Sequence, residues 1–120
     1  MLVVEDQAQV RDYAVAVLTE YGYHVIQAEN AAEALLLFER ERERIHLVVT
    51  DVVMPNMSGW KLADRLEKLR PEIKVLFMSG YTDHVIVPHG VLEEGAEFIE
   101  KPFSPEELAR KVRAVLGPPA

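Results

Sequence analysis

Five short apolar runs alternate along this chain with stretches of helical period. Leu2, Val3 and Val4 make the first run, which ends on Glu5 and Asp6. From Gln7 the period lengthens: Val10, Tyr13, Ala14, Val17, Leu18 and Tyr21 recur as on one face of an amphipathic helix. Asp6, with Gln9 three residues on, is placed to cap its start, and Gly22 marks its end. A second strand is predicted near His24 to Ala28. Asn30 and Glu33 then read as the capping pair of a second helix, with Ala31, Ala34, Leu35 and Phe38 on one side. That helix runs out through the charged segment Glu39 to Arg44, whose alternating signs describe a solvated face.

The third run, Leu47 to Thr50, is rich in β-branched residues and stops on a carboxylate, Asp51. Its length and composition suit a strand buried on both faces. Pro55 cannot donate to a ladder and Gly59 permits a tight turn, so the chain leaves the sheet between them. A third helix places Leu62, Leu66 and Leu69 on one side until Arg70-Pro71 stops it. A fourth strand, Ile73 to Met78, runs into Ser79-Gly80. The weakest helical stretch follows over 82–95, where Pro88 and Gly90 predict a short element. A fifth strand, Glu97 to Glu100, ends on Lys101-Pro102. Ser104, Pro105 and Glu107 supply the N-cap, the N1 proline and the N3 glutamate of a last helix. Its stripe is Leu108, Val112, Val115 and Leu116, closed by Gly117-Pro118.

Five strands alternating with five helices through short connections define an α/β domain. The parallel sheet this implies is covered by helices on both faces, and a doubly wound arrangement is the natural solution. The domain spans 1–117, with 118–120 as a tail. The chain has 120 residues, enough for one domain that buries roughly two-thirds of its unfolded surface. No apolar run approaches the ~18 residues of a membrane helix, and no basic region precedes a signal peptide. The absence of cysteine excludes disulfides and thiolate metal sites. A net charge of -7 argues against a nucleic-acid-binding surface and mildly favours cation binding.

In a parallel sheet all C-terminal strand ends lie along one edge, where α/β folds bind ligands. That edge collects Glu5 and Asp6, Asp51, Ser79 and Lys101 from strands one, three, four and five. Taken singly these are ordinary residues: a loop aspartate, acids at a helix start, a turn serine, a surface lysine. Their joint placement carries the reading. Three converging carboxylates repel unless a cation joins them, and an all-oxygen donor set favours magnesium or a similar hard ion. Magnesium needs only one or two protein carboxylates, which leaves one free as a nucleophile. An aspartate beside Mg²⁺, a hydroxyl and an ammonium is a competent phosphoryl acceptor.

The segments LVVED (2–6), VVTDVVMPNMSG (48–59), LFMSGYTD (76–83) and FIEKPFSPEEL (98–108) closely resemble the receiver domain of two-component response regulators. The resemblance covers essentially the whole chain and implies the flavodoxin-like strand order 2-1-3-4-5. It makes Asp51 the phosphoacceptor in a two-component phosphorelay. It also implies that Asp6, Asp51 and the Val53 carbonyl bind Mg²⁺, with Glu5 acting through water. Ser79 would be the switch hydroxyl, Lys101 the phosphate-pairing lysine and Phe98 the switch aromatic. The Lys101–Pro102 bond would be cis. The implied partner is a histidine kinase or a histidine phosphotransfer domain in the cytoplasm. Direct nucleic-acid or membrane contact is not expected, and the family admits homodimers. Such a domain catalyses its own phosphorylation and dephosphorylation. The MSGYTD and FIEKPFSPEEL wording is most similar to receivers at the C-terminus of hybrid sensor histidine kinases, and a start inside the first strand points to a domain cut from a longer chain.

Departures from the family pattern bear on kinetics. Glu5 stands where aspartate is more frequent, and Phe98 lacks the hydroxyl of tyrosine. Val53 and Tyr81 offer no carboxylate or amide to orient a hydrolytic water, so slow self-dephosphorylation is expected. Other readings fare less well. A dinucleotide-binding domain needs a glycine-rich turn where this chain has Val-Val-Glu-Asp-Gln. A magnesium-dependent phosphatase of the haloacid dehalogenase type needs a second acid at the position of Val53. A degenerate receiver acting only as a binding module would not keep the full acidic, hydroxyl and lysine set.

Overall fold

The computed structural model describes residues 1–80 and 97–117. In chain order these form β1 (Leu2–Val4), α1 (Ala8–Glu20), β2 (Ile26–Ala28), α2 (Ala31–Arg40), a 3₁₀ turn (Arg42–Arg44), β3 (Leu47–Asp51), α3 (Gly59–Leu69), β4 (Lys74–Ser79), β5 (Glu97–Glu100) and α4 (Pro105–Leu116). The short helix expected over 82–95 lies outside the described residues. All strand pairs are parallel and the order is β2-β1-β3-β4-β5, as the family resemblance implied.

The sheet is sealed on both faces because the apolar stripes of the helices match its alternating side chains. Val3, Val49, Leu76 and Met78 pack with Ala14, Val17 and Leu18 of α1 and with Leu108 and Val112 of α4. Leu2, Val4 and Val48 meet Ala31, Ala34 and Phe38 of α2 and Leu62 and Leu66 of α3 on the other side. β3, in the middle of the order, is buried at every position, which explains its unbroken apolar run.

Most helix ends follow their local signals. Ser104 and Glu107 complete a reciprocal capping box, with Pro105 in the first turn. The Asn30 side chain accepts from the Glu33 amide, while Glu33 reaches one residue further back, to the Glu29 amide. Gly22, at φ +93°, takes the left-handed position after α1.

Four local expectations are corrected. α1 begins at Ala8 with Gln7 at its N-cap and no side-chain cap, so Asp6 does not cap it. Asp6 instead stands with its carboxylate at the sheet edge, and one side chain cannot serve both places. The charged segment after α2 is solvated but does not continue the helix. It breaks into the 3₁₀ turn, whose Arg42 carbonyl, with that of Ile45, accepts from the Arg70 guanidinium. Leu69, the last residue of α3, is 39% exposed rather than joining Leu62 and Leu66 in the core. β4 runs to Ser79 rather than stopping at Met78, so the serine is the last residue of the strand itself.

Candidate functional site

The parallel register aligns the strand ends. Val4, Thr50, Phe77 and Phe98 stand in one row across β1, β3, β4 and β5. Glu5 and Asp51 therefore emerge side by side at the next position, with Asp6 one further along the chain. One carboxylate oxygen from each of the three lies within 4.8 Å of the other two. Ser79 ends the neighbouring strand, and its carbonyl accepts from the Lys101 amide at 2.8 Å. That bond fixes the start of the β5–α4 connection, in which the Lys101–Pro102 peptide is cis.

Lys101 folds back over the edge. Its Nζ lies 3.0 Å from Asp51 Oδ1 and 3.1 Å from Glu5 Oε1, bridging the two carboxylates. Glu5 is fully buried, and its second oxygen accepts from the Gln7 amide at 3.1 Å. Asp51 is nearly as deep, whereas Asp6 is exposed. Burial pushes the Glu5 carboxyl up from 4.5 to about 7; the Gln7 amide and Lys101 oppose this, and the Asp51 charge and a hydrogen bond with Asp6 add to it. Burial works to lower the Lys101 ammonium as well. The hydrogen bond and charge of Asp51, joined by those of Glu5, outweigh burial and hold it above its usual value. The Ser79 hydroxyl is buried and finds no partner among the described residues.

The connection after β3 is shaped by three residues. Asn56 takes a left-handed conformation at φ 72°, which asparagine tolerates better than most residues, and the Met57 amide closes onto the Pro55 carbonyl at 2.8 Å. Ser58 caps α3 through the Lys61 amide. Gly59, read from sequence as a turn residue, is the first residue of α3 and has another function. A Cβ there would lie 2.2 Å from the Asp51 carbonyl oxygen. Its absence lets the helix start press against the backbone that carries Asp51, and the Gly59 amide donates to the Val52 carbonyl at 2.8 Å.

Each sequence-predicted position can now be located. Glu5, Asp6, Asp51 and Lys101 come together directly, and Ser79 sits at the end of the adjoining strand. Val53 is 43% exposed in the connection just beyond Asp51. Phe98 is half-buried in a ring cluster with Phe77 (centroids 5.4 Å apart) and Trp60 (5.5 Å). Tyr81 lies outside the described residues. Two contributors escaped sequence reasoning. Arg11 of α1 donates to the Glu5 carbonyl, and Trp60 builds the ring cluster. Both carry only the marks of ordinary helix residues in the sequence.

An acid pair after β1, a carboxylate at the end of β3 and a lysine after β5 thus gather at the C-terminal edge of a parallel α/β sheet. The model of the response regulator receiver domain matches residues 1–113, and the chain belongs to that family, the receiver domains of two-component systems. It is similar to the sensor kinase CckA of Brucella abortus, at 38% identity over 97% of this chain but only 12% of the kinase. It is also similar to the response regulator receiver protein CpdR of the same organism, at 32% identity over 97% of this chain and 95% of CpdR. Among solved structures, the receiver domain of the hybrid histidine kinase CckA superposes with a TM-score of 0.81 at 33% identity, covering 97% of both chains. The Vibrio cholerae chemotaxis protein CheY4 gives 0.80 at 26% identity over 95% of each. Receiver domains typically bind Mg²⁺ and work with histidine kinases or phosphotransfer proteins. No helix among the described residues is long and apolar enough to cross a membrane.

Proposed function

We propose that Asp51 accepts a phosphoryl group from a histidine of a kinase or phosphotransfer partner, and that the acids beside it hold Mg²⁺ for the transfer. The observation that carries this is the Lys101 ammonium bridging Asp51 and Glu5 at a buried strand end. The donor set suits a hard cation, being all oxygen, with two of its three acids withdrawn from bulk water. Asp6, Asp51 and the Val53 carbonyl would hold the metal directly. Glu5, whose two oxygens already engage Lys101 and the Gln7 amide, would act through water. Bound there, the metal supplies neutralising charge to the phosphoryl oxygens.

The remaining steps belong to the protein. An Asp51 carboxylate oxygen attacks phosphorus in line, and the bond to the donor imidazole breaks. Lys101 exchanges a carboxylate for a phosphoryl oxygen, which costs little because the ammonium is already in place. Ser79 brings a hydroxyl with no present acceptor among the described residues, ready to donate to the new oxygens. Phosphorylation adds about -1.5 to -2 charges, enough to draw Ser79 and Lys101 inward and repack the Phe98 ring against Phe77 and Trp60. A single copy suffices for this chemistry, and we place it in the cytoplasm, where ATP-dependent kinases form phosphohistidine. The phosphatase reading lacks support, since Val53 presents an apolar side chain where a second acid is required.

Incubation with Mg²⁺ and acetyl phosphate tests the proposal. Wild type should gain a hydroxylamine-labile phosphoryl group that Asp51→Asn lacks. Equal labelling of the variant, or turnover of other phosphoesters without labelling, would overturn it.

A further inference from the structure

Two of the three acids at the sheet edge, Glu5 and Asp6, sit on a loop only three residues long, 5–7, and that loop is anchored from an unexpected direction. Arg11 lies in the first turns of α1, where a charged residue would ordinarily face solvent. Its side chain is instead only 12% exposed. Nη1 donates to the backbone carbonyl of Glu5 at 2.9 Å, and Nη2 comes within 3.8 Å of Glu29 in the β2–α2 connection. The Glu5 amide donates to the Ala28 carbonyl at 3.1 Å, and the Gln7 amide to the Glu5 carboxylate. The peptide between Glu5 and Asp6 is thus held by its oxygen. Asp6, the exposed member of the acid cluster, receives its direction from that peptide. The ion pair with Glu29 cannot account for burying the guanidinium, because Glu29 is 68% exposed and such pairs contribute little. The carbonyl contact is the interaction that burial strengthens.

We infer that Arg11 is a positioning residue for cation binding, setting the Glu5–Asp6 peptide so that the Asp6 carboxylate faces Glu5 and Asp51. The inference rests on the proposed reading of those acids as the cation site. It makes a prediction opposite in sign to simple electrostatics. A positive charge beside an acidic cluster repels a divalent cation, so on charge alone Arg11→Met should bind Mg²⁺ more tightly. If positioning dominates, the same change weakens binding, since partners that orient metal ligands typically contribute about 10- to 100-fold in affinity. Methionine keeps an apolar stem of similar reach and removes both the charge and the donors. Lysine keeps the charge and one donor group but loses the planar fork.

The experiment is a Mg²⁺ titration of the folded domain followed by amide ¹H–¹⁵N shifts of Gln7 and its neighbours, with folding verified by circular dichroism. The dissociation constant should rise by about tenfold in Arg11→Met and by a smaller factor in Arg11→Lys. An unchanged or lowered constant in Arg11→Met, or weaker binding by the lysine variant than by methionine, overturns the inference. If Arg11→Met does not fold, Arg11→Lys carries the test, because it conserves charge, and a constant equal to wild type then overturns it. A wild-type chain that shows no Mg²⁺-dependent shifts at all would instead refute the cation-site reading itself, which separates the two failures.

Discussion

Replacing Glu5 with glutamine isolates the energetic cost of gathering acids at this edge. Glu5 is fully buried, and its carboxyl is raised from 4.5 to about 7, chiefly by loss of water. A carboxyl with a raised pKa binds its proton more tightly in the native state than in the unfolded one. Native stability therefore falls as pH rises from about 4.5 to about 7, and the loss is complete above that window. A displacement of this size corresponds to roughly 3 kcal/mol, at about 1.4 kcal/mol for each tenfold change in the proton equilibrium. In EDTA, wild type should lose on the order of 2–3 kcal/mol between pH 5 and pH 8, measured by urea unfolding, relative to Glu5→Gln. The buried N-terminal ammonium, lowered by desolvation, titrates alike in both proteins and drops out of the difference. Lys101 keeps its contact with Asp51 in the variant, so the site is not stripped of its counter-charge. Saturating Mg²⁺ should flatten the wild-type decline, because a cation favours the ionised form of the carboxyl it faces. Parallel stability curves for the two proteins from pH 5 to pH 8 would refute the reasoning.

Gly59→Ala should destabilise the fold by about 3 kcal/mol, toward the upper end for overpacking, because the added Cβ meets the Asp51 carbonyl at 2.2 Å and backbone cannot yield cheaply. The helix-propensity gain of at most about 1 kcal/mol does not offset this, and a urea midpoint at or above wild type would contradict the geometry. Val53→Asn places an amide beside Asp51 at a position already open to water. It should speed decay of the phosphorylated form roughly tenfold, or ~1.4 kcal/mol off the barrier, and an unchanged decay curve sinks the idea.

The architecture was legible because its signals are local or periodic. Strands of three to six residues alternate with helical stripes, and the capping box at Ser104 reads directly from Ser-Pro-Glu-Glu. The site was legible for a different reason: every member ends a strand or follows one, so topology alone places Glu5, Asp51 and Lys101 along one edge of the sheet. Where local signals misled, a tertiary demand had overridden them. Asp6 and Gln9 have capping spacing, yet Asp6 joins the acid cluster and the helix starts two residues later. Charge alternation after α2 suggested continued helix, yet the Arg70 guanidinium, distant in sequence, collects the carbonyls of a 3₁₀ turn.

The sequence by itself determined a doubly wound parallel sheet with a carboxylate at the end of its central strand, because hydrophobic period and strand-end chemistry are properties of neighbours along the chain. Only the tertiary structure decided which groups touch. It joined Lys101 to both Glu5 and Asp51, turned Gly59 from a turn residue into a point of backbone contact, and buried Arg11 against the Glu5 carbonyl. Those contacts span up to 96 residues of chain. Their existence depends on packing angles and side-chain reach in three dimensions, which spacing along the sequence does not encode.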